Sequence, residues 1–202
     1  LSIAAAAYYT LPIFITIFSA VFIGDRSSRM GWGAVFIGFL GVLLILHPEA
    51  GDFNFYALLP LVSAVLYALS MIVTRTRCRS VHPIMLSIAL NAAFVVVGAS
   101  ATLAILSVAP EGRGEFLAAP WAPMAAADWF AMGLLAAAIL IGSVGTAIAY
   151  QNGPPSIIGT FDFAYVGFAL VWGLIIFGEV PDMLSLAGMG LIVIAGSLSL
   201  RQ

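Results

Sequence analysis

Two stretches of sequence decide the fold of this 202-residue chain. Residues 10–25 read TLPIFITIFSAVFIGD and precede GWGAVFIGFLGVLLIL at 31–46. Residues 160–179 read TFDFAYVGFALVWGLIIFGE and precede LAGMGLIVIAGSLSL at 186–200. In both places an apolar run ends in glycine and an acid, and a second, glycine-rich apolar run follows. The pattern predicts a helix pair that occurs twice.

The composition around these stretches is that of an integral membrane protein. Apolar residues make up 63% of the chain, against about 45–50% in soluble domains. Charged residues are only 8%, too few to cover a soluble surface. The low charge and high apolar content exclude disorder, and a net charge of −2 without a basic stripe excludes nucleic-acid binding. The single cysteine, Cys78, excludes a disulfide scaffold.

Seven apolar runs are long enough for membrane-spanning helices, which need about 20 residues. We name them spans A to G and predict them at 2–23, 32–47, 55–74, 83–107, 129–150, 156–177 and 183–200. A β-barrel is rejected because its strands alternate polar and apolar residues, whereas these runs are apolar on every face. The chain starts with Leu1 inside an apolar run, which predicts a fragment whose upstream sequence is absent.

The repeat is predicted to be inverted in the membrane. Gly24-Asp25 aligns with Gly178-Glu179, and after one inserted residue the paired glycines of spans B and G align as well. Five spans separate the two acids, an odd number, so the acids lie on opposite faces. Inverted repeats are typical of secondary transporters. The alternative is that glycine-rich apolar helices resemble one another because they are built from few residue types.

The arginines predict the orientation. Six of the seven fall on one side of the seven-span topology, in the A–B and C–D connections and the C-terminal tail, and only Arg113 falls on the other. Positive residues are retained in the cytoplasm. The C-terminus is therefore predicted to be cytoplasmic, in a multi-pass protein of the bacterial inner (plasma) membrane.

The quoted helix pairs resemble the fourth and fifth helices of the EamA domain, in the drug/metabolite transporter superfamily. The resemblance covers essentially the whole chain. It implies an all-α integral membrane protein, a seven-helix fragment of a ten-helix inverted-repeat (5+5) transporter bundle. Residues 1–49 then end the first repeat and residues 50–202 form the second, five-helix repeat. The chain departs from the family at Asp25, where Glu is commoner, and in span F, which lacks a counterpart of Pro12.

No catalytic or metal-binding constellation is found, so we expect neither enzyme activity nor a cofactor or metal. His47 and His82 lie at opposite membrane faces. Asp162, about two turns into span F, is the only acid well inside a span. A buried acid in a membrane indicates a functional site by default. The alternative is a carboxylate that meets water or pairs with an arginine of the C–D connection.

Polar residues at helical spacing line one face of each of spans C to F. If these faces point inward, they surround a polar cavity within the second repeat. The alternative for Ser and Thr is hydrogen bonding between helices. The residues predicted to contact substrate or to couple transport are Asp162, Asn91, Tyr165, Trp172 and Tyr67.

Small residues on one face of span B, namely Gly31, Ala34, Gly38 and Gly41, are predicted to allow close helix packing. Gly24 and Gly178 are predicted to end helices, and Asp182 to cap the start of span G.

The function that these patterns favour is secondary transport of a small organic metabolite or drug-like solute by alternating access. The alternatives are a non-transporting membrane subunit and a flippase for a lipid-linked substrate. The expected partners are a small-molecule substrate and the lipid bilayer. Formation of a homodimer is left open.

Overall fold

The computed structural model describes residues 2–24, 27–46, 58–107, 123–178 and 180–201. All regular structure in these ranges is helical, and no strand occurs in them. Asp25, Glu179, His47 and most of the D–E connection lie outside the described residues. The chain is an all-α membrane protein, as the sequence predicts.

Within the described residues, six helices are long and apolar enough to cross a membrane. They are Ala5–Ile23, Arg29–Leu46, Leu58–Arg77, Pro83–Ile105, Ala126–Asn152 and Pro155–Phe177. Span G is a shorter apolar helix, Met183–Ser199, whose 17 residues rise about 26 Å. Large apolar side chains such as Phe130, Ile141 and Phe177 are 70–75% exposed. Such an apolar exterior fits a lipid environment.

Several helix ends differ from the predicted ones because of local hydrogen bonds. Span B begins at Arg29, three residues before the predicted start, and the Ser28 hydroxyl accepts a hydrogen bond from the Gly31 N–H at 3.1 Å. Span E begins at Ala126, and Asp128 accepts from the Ala125 N–H at 2.8 Å. Span D runs from Pro83 to Ser107 as predicted.

The described chain divides into two compact units, Leu1–Arg79 with Ala149–Gln202, and Ser80–Ile148. The first unit contains spans A, B, C, F and G and carries the apolar core. One cluster is built on Leu11, Ile15 and Tyr150, and a second on Val42, Phe163 and Ile192. Tyr150, which its helix-end position assigns to the interfacial aromatic belt, is 1% exposed. That assignment is wrong because this ring packs inward against span A.

Spans B and G form the closest helix pair of the first unit. Gly31, Ala34, Gly38 and Gly41 are all buried, which confirms their predicted packing role. A β-carbon added at Gly41 would lie 2.7 Å from the Gly188 carbonyl oxygen. The absence of side chains here lets the two backbones approach within contact distance.

The backbones of spans A and F share two features. Each ends in a π-helical turn, Ser19–Ile23 and Gly173–Phe177, at positions 154 residues apart (173 − 19). Gly24 and Gly178 follow with φ of 78° and 68°. Glycine suits this left-handed conformation because it has no β-carbon, and each glycine N–H bonds back to the first residue of the turn. The predicted helix-ending glycines are confirmed, as is the Asp182 cap, which accepts from the Ser185 N–H at 2.8 Å.

Candidate functional site

The site is a cavity of about 500 Å³ in the first unit, between spans A, C and F. Ligand pockets are typically about 300–1,000 Å³, so the cavity is large enough for a small organic molecule. Its lining residues are Ala5, Tyr8, Tyr9, Leu11, Tyr67, Asp162 and Tyr165. Three predicted site residues, Asp162, Tyr67 and Tyr165, therefore share one cavity.

Span A is broken where it meets the cavity. Its first helix, Ser2–Tyr8, ends before Thr10, and a second helix, Leu11–Phe18, follows. Pro12 lacks an N–H and cannot donate to the Tyr8 carbonyl as a continuous helix requires. The Thr10 hydroxyl donates to the Ala7 carbonyl at 2.6 Å and stabilises the break. The break leaves Tyr8 and Tyr9 at the cavity wall.

The α-helical hydrogen bonding of span F is interrupted at a similar place, although the span has no proline there. The helices Pro155–Phe161 and Ala164–Trp172 are separated by Asp162 and Phe163. The Asp162 N–H donates to the Gly159 carbonyl at 3.1 Å, and the Tyr165 N–H donates to the Asp162 carbonyl at 3.2 Å. These are three-residue spacings, which tighten the helix locally. Asp162 thus sits at a tightened turn, where its backbone keeps helical dihedral angles of −61° and −26°.

The Asp162 carboxylate contacts a tyrosine of span E. The Tyr150 hydroxyl donates to Asp162 Oδ2 at 3.5 Å, the long end of the hydrogen-bond range. Of the three arginines of the C–D connection, Arg75 donates instead to the Gln151 carbonyl at 2.6 Å. In the described part of the chain, the geometry therefore gives no support to the alternative of an arginine-paired Asp162.

The remaining cavity wall is mainly aromatic. The rings of Tyr8 and Tyr9 meet edge to face, with centroids 6.0 Å apart and planes at 78°. Tyr67 is partly buried against the core, whereas Tyr165 is 71% exposed. The cavity thus combines a carboxylate with ring faces and hydroxyl groups that can bind a solute.

Asn91 lies in the second unit and forms part of a polar cluster there. The Ser87 and Ser143 hydroxyls of spans D and E are 2.5 Å apart. The Asn91 amide donates to the Ser87 carbonyl at 2.8 Å and to the Ser143 hydroxyl at 3.3 Å. The contacts of Ser143 with Ser87 and Asn91 join spans D and E, which is the role that the sequence offered as the alternative for Ser and Thr, whereas the bond from Asn91 to the Ser87 carbonyl stays within span D.

Trp172 does not line the described cavity. Its side chain is 56% exposed, in the last turn of the second helix of span F.

Ser70 and Thr74 of span C donate to carbonyls of their own helix, at 2.7 and 2.9 Å. The polar stripe of span C therefore reaches the cavity through Tyr67.

The sequence argument missed Tyr8 and Tyr9, and it placed Tyr150 both in the interfacial aromatic belt and on the polar stripe of span E. The repeat alignment did point to Tyr8, because an offset of 154 residues aligns Tyr8 with Asp162 in the sequence. Tyr150 immediately precedes the E–F connection, and only the packing of span E turns its hydroxyl toward Asp162. Among the described residues, no group of three His, Cys, Asp or Glu side chains is placed to hold a metal ion.

Known proteins similar to this chain are transporters. The pseudopaline exporter of Pseudomonas aeruginosa is 26% identical over 185 residues, 91% of this chain and 60% of the exporter. The riboflavin transporter of Rhizobium johnstonii is 25% identical over 98% of this chain and 61% of its own length. That of Vibrio cholerae is 26% identical over 94% and 59%. The chain spans about three fifths of the length of these relatives.

A solved crystal structure of another protein shares the fold. It superposes with a TM-score of 0.78 over 98% of this chain and 66% of its own, at 19% identity. No protein-family model matches the chain. The relatives' names describe transport rather than catalysis, which supports the prediction that the chain is not an enzyme. Together with the apolar helices, the comparisons support a multi-pass membrane protein.

Proposed function

We propose that this chain forms the substrate site of an EamA-type secondary transporter that moves a small organic solute across the bacterial inner membrane by alternating access. Residues 1–49 belong to its first repeat and residues 50–202 to its second. The observation that carries the proposal is the cavity between spans A, C and F, which adjoins the interruption of span A and the tightened turn at Asp162 in span F. Secondary transporters build their substrate sites from discontinuous helices at the interface between inverted repeats.

Asp162 is the central binding or coupling residue of this proposal. A carboxylate within a spanning segment costs about 2.5–3.5 kcal/mol on insertion scales, so its position in a cavity-lining turn favours a functional role. Asp162→Asn keeps the shape of the side chain and removes its charge. Hydrogen bonds to charged groups contribute about 1.5–3 kcal/mol, so their loss should reduce transport by about tenfold to a hundredfold.

The test is solute flux by the full-length protein, reconstituted alone in liposomes. The solutes are a panel of small metabolites that includes riboflavin, the solute in the names of two relatives. Asp128→Asn is the matched control, because Asp128 is an exposed acid that does not line the cavity. We expect wild-type flux in the control and a sharp loss in Asp162→Asn.

The outcomes separate the alternatives. Loss of pH dependence in a still-active Asp162→Asn variant indicates proton coupling, whereas loss of solute binding at every pH indicates substrate contact. If Asp162→Asn retains wild-type flux and binding, Asp162 is not part of the site. The predicted residues that remain to be substituted are then Asn91, Tyr165 and Trp172. Movement of lipid alone favours a flippase, and absence of any flux by folded protein favours a non-transporting subunit.

A further inference from the structure

The charge of the cavity is one-sided. Among the described residues that line it, Asp162 is the acid, and no Lys, Arg or His side chain is present. The chain contains no lysine at all. A carboxylate offers about four acceptor positions, and the Tyr150 hydroxyl at 3.5 Å is one neutral, distant donor. The remaining acceptor capacity of Asp162 is available to a solute in the cavity.

The aromatic wall adds to the same preference. The face of a tyrosine ring attracts a cation that lies within about 6 Å of its centre. Four of the seven lining residues are tyrosines, Tyr8, Tyr9, Tyr67 and Tyr165. Because the Tyr8 and Tyr9 rings stand at 78° to each other, they form a corner rather than a flat stack. A corner of rings beside a carboxylate suits a rounded cationic group.

We propose that the cavity between spans A, C and F selects solutes that carry a positively charged, amine-derived group, which Asp162 and the surrounding tyrosine rings hold. This inference rests on the proposed transport function and specifies its substrate class. The volume of about 500 Å³ leaves room for an organic body beyond the charged group. An anion has no matching donor among the charged side chains of the wall.

The test compares two probes of the same shape that differ in one positive charge. These are 3-hydroxyphenyltrimethylammonium and its neutral isostere 3-tert-butylphenol. Their binding to the full-length protein in one detergent is measured by isothermal titration calorimetry, with a protein-free micelle titration subtracted. We expect the cation to bind about tenfold or more tightly than the isostere. The Asp162→Asn variant should abolish this preference, and Asp128→Asn should retain it.

A second variant keeps the test decisive if Asp162→Asn fails to fold. Tyr165 is 71% exposed, so Tyr165→Leu removes a ring from the wall with little loss of packing. We expect its preference for the cation to fall several-fold while binding of the neutral isostere changes less. A wild-type protein that binds both probes equally, or binds the neutral one better, overturns the inference.

This failure is distinguishable from failure of the proposed function. If solute flux depends on Asp162 but the two probes bind equally, transport stands and the cationic substrate class is wrong. If folded full-length protein shows no flux of any solute, the transport proposal is wrong, and the substrate inference is overturned with it.

Discussion

The contact between spans B and G allows a quantitative test of how closely the two backbones pack. A β-carbon at Gly41 would lie 2.7 Å from the Gly188 carbonyl oxygen and 3.0 Å from Ile192 Cγ1. The first neighbour is backbone and cannot rotate away, so Gly41→Ala must push the two helices apart. Gly33 lies in the same helix and has no atom within 4 Å of the same position. Gly33→Ala is therefore the matched control.

The expected difference between the two variants follows from these distances. Overpacking of a tight interior typically costs about 1–3 kcal/mol. Replacing glycine by alanine within a helix also contributes about 1 kcal/mol of favourable helix propensity, and this contribution is shared by both variants. The helix propensity therefore cancels in the comparison. Gly41→Ala should be about 1–3 kcal/mol less stable than Gly33→Ala.

The assay is equilibrium unfolding of the full-length protein in mixed micelles, with helicity measured by circular dichroism. A second pair in span G repeats the comparison. A β-carbon at Gly188 would lie 2.6 Å from the Gly41 carbonyl oxygen, whereas Gly190 has open space. Equal stabilities within both pairs would refute the packing argument. Loss of stability only at Gly41 and Gly188 would support it.

Three further predictions concern other parts of the described chain. Cys78 should react with a membrane-impermeant thiol reagent only after the cytoplasmic face is opened, because the arginine-rich C–D connection is predicted to lie there. Labelling of Cys78 in intact cells would show that the predicted topology is the wrong way round. Asp182→Ala should destabilise the protein by about 1 kcal/mol through loss of its cap, and Asp182→Asn should retain most of that stability in the same unfolding assay. Asn91→Ala should lower stability by about 0.6 kcal/mol if its bonds serve packing, with flux unchanged; loss of flux at unchanged stability would instead place Asn91 in the substrate path.

The sequence predicts the spans well because lipid imposes a strong constraint on composition. Every backbone polar group in a bilayer core must bond within its own helix or a closed barrel, so apolar runs map onto helices. Pro83 marks the start of span D correctly, since proline is well placed in the first helical turn. The predicted starts of spans B and E are late, because the side chains of Ser28 and Asp128 bond to the backbone at the two helix starts.

The cavity is harder to predict because it depends on where helices break and how they pack. Pro12 is a visible signal for the break in span A, but span F breaks without a proline. Tyr150 illustrates the second difficulty. Hydropathy and position assign it to the membrane interface, whereas packing against Leu11 and Ile15 buries it and brings its hydroxyl to Asp162.

Spans A and F share backbone features but differ in the side chains that they place at the cavity. Both spans have an interruption, a π-helical turn and a left-handed glycine in matching order, which fits common constraints on the main chain. The offset of 154 residues, however, aligns Tyr8, the last residue before the interruption of span A, with Asp162 of span F. A symmetric pair of acids facing one cavity would repel each other across a low-dielectric space. One acid opposite an aromatic ring avoids that repulsion and leaves a single negative charge for a solute. The site that we propose therefore depends on the difference between spans A and F, although the two spans end in the same backbone features.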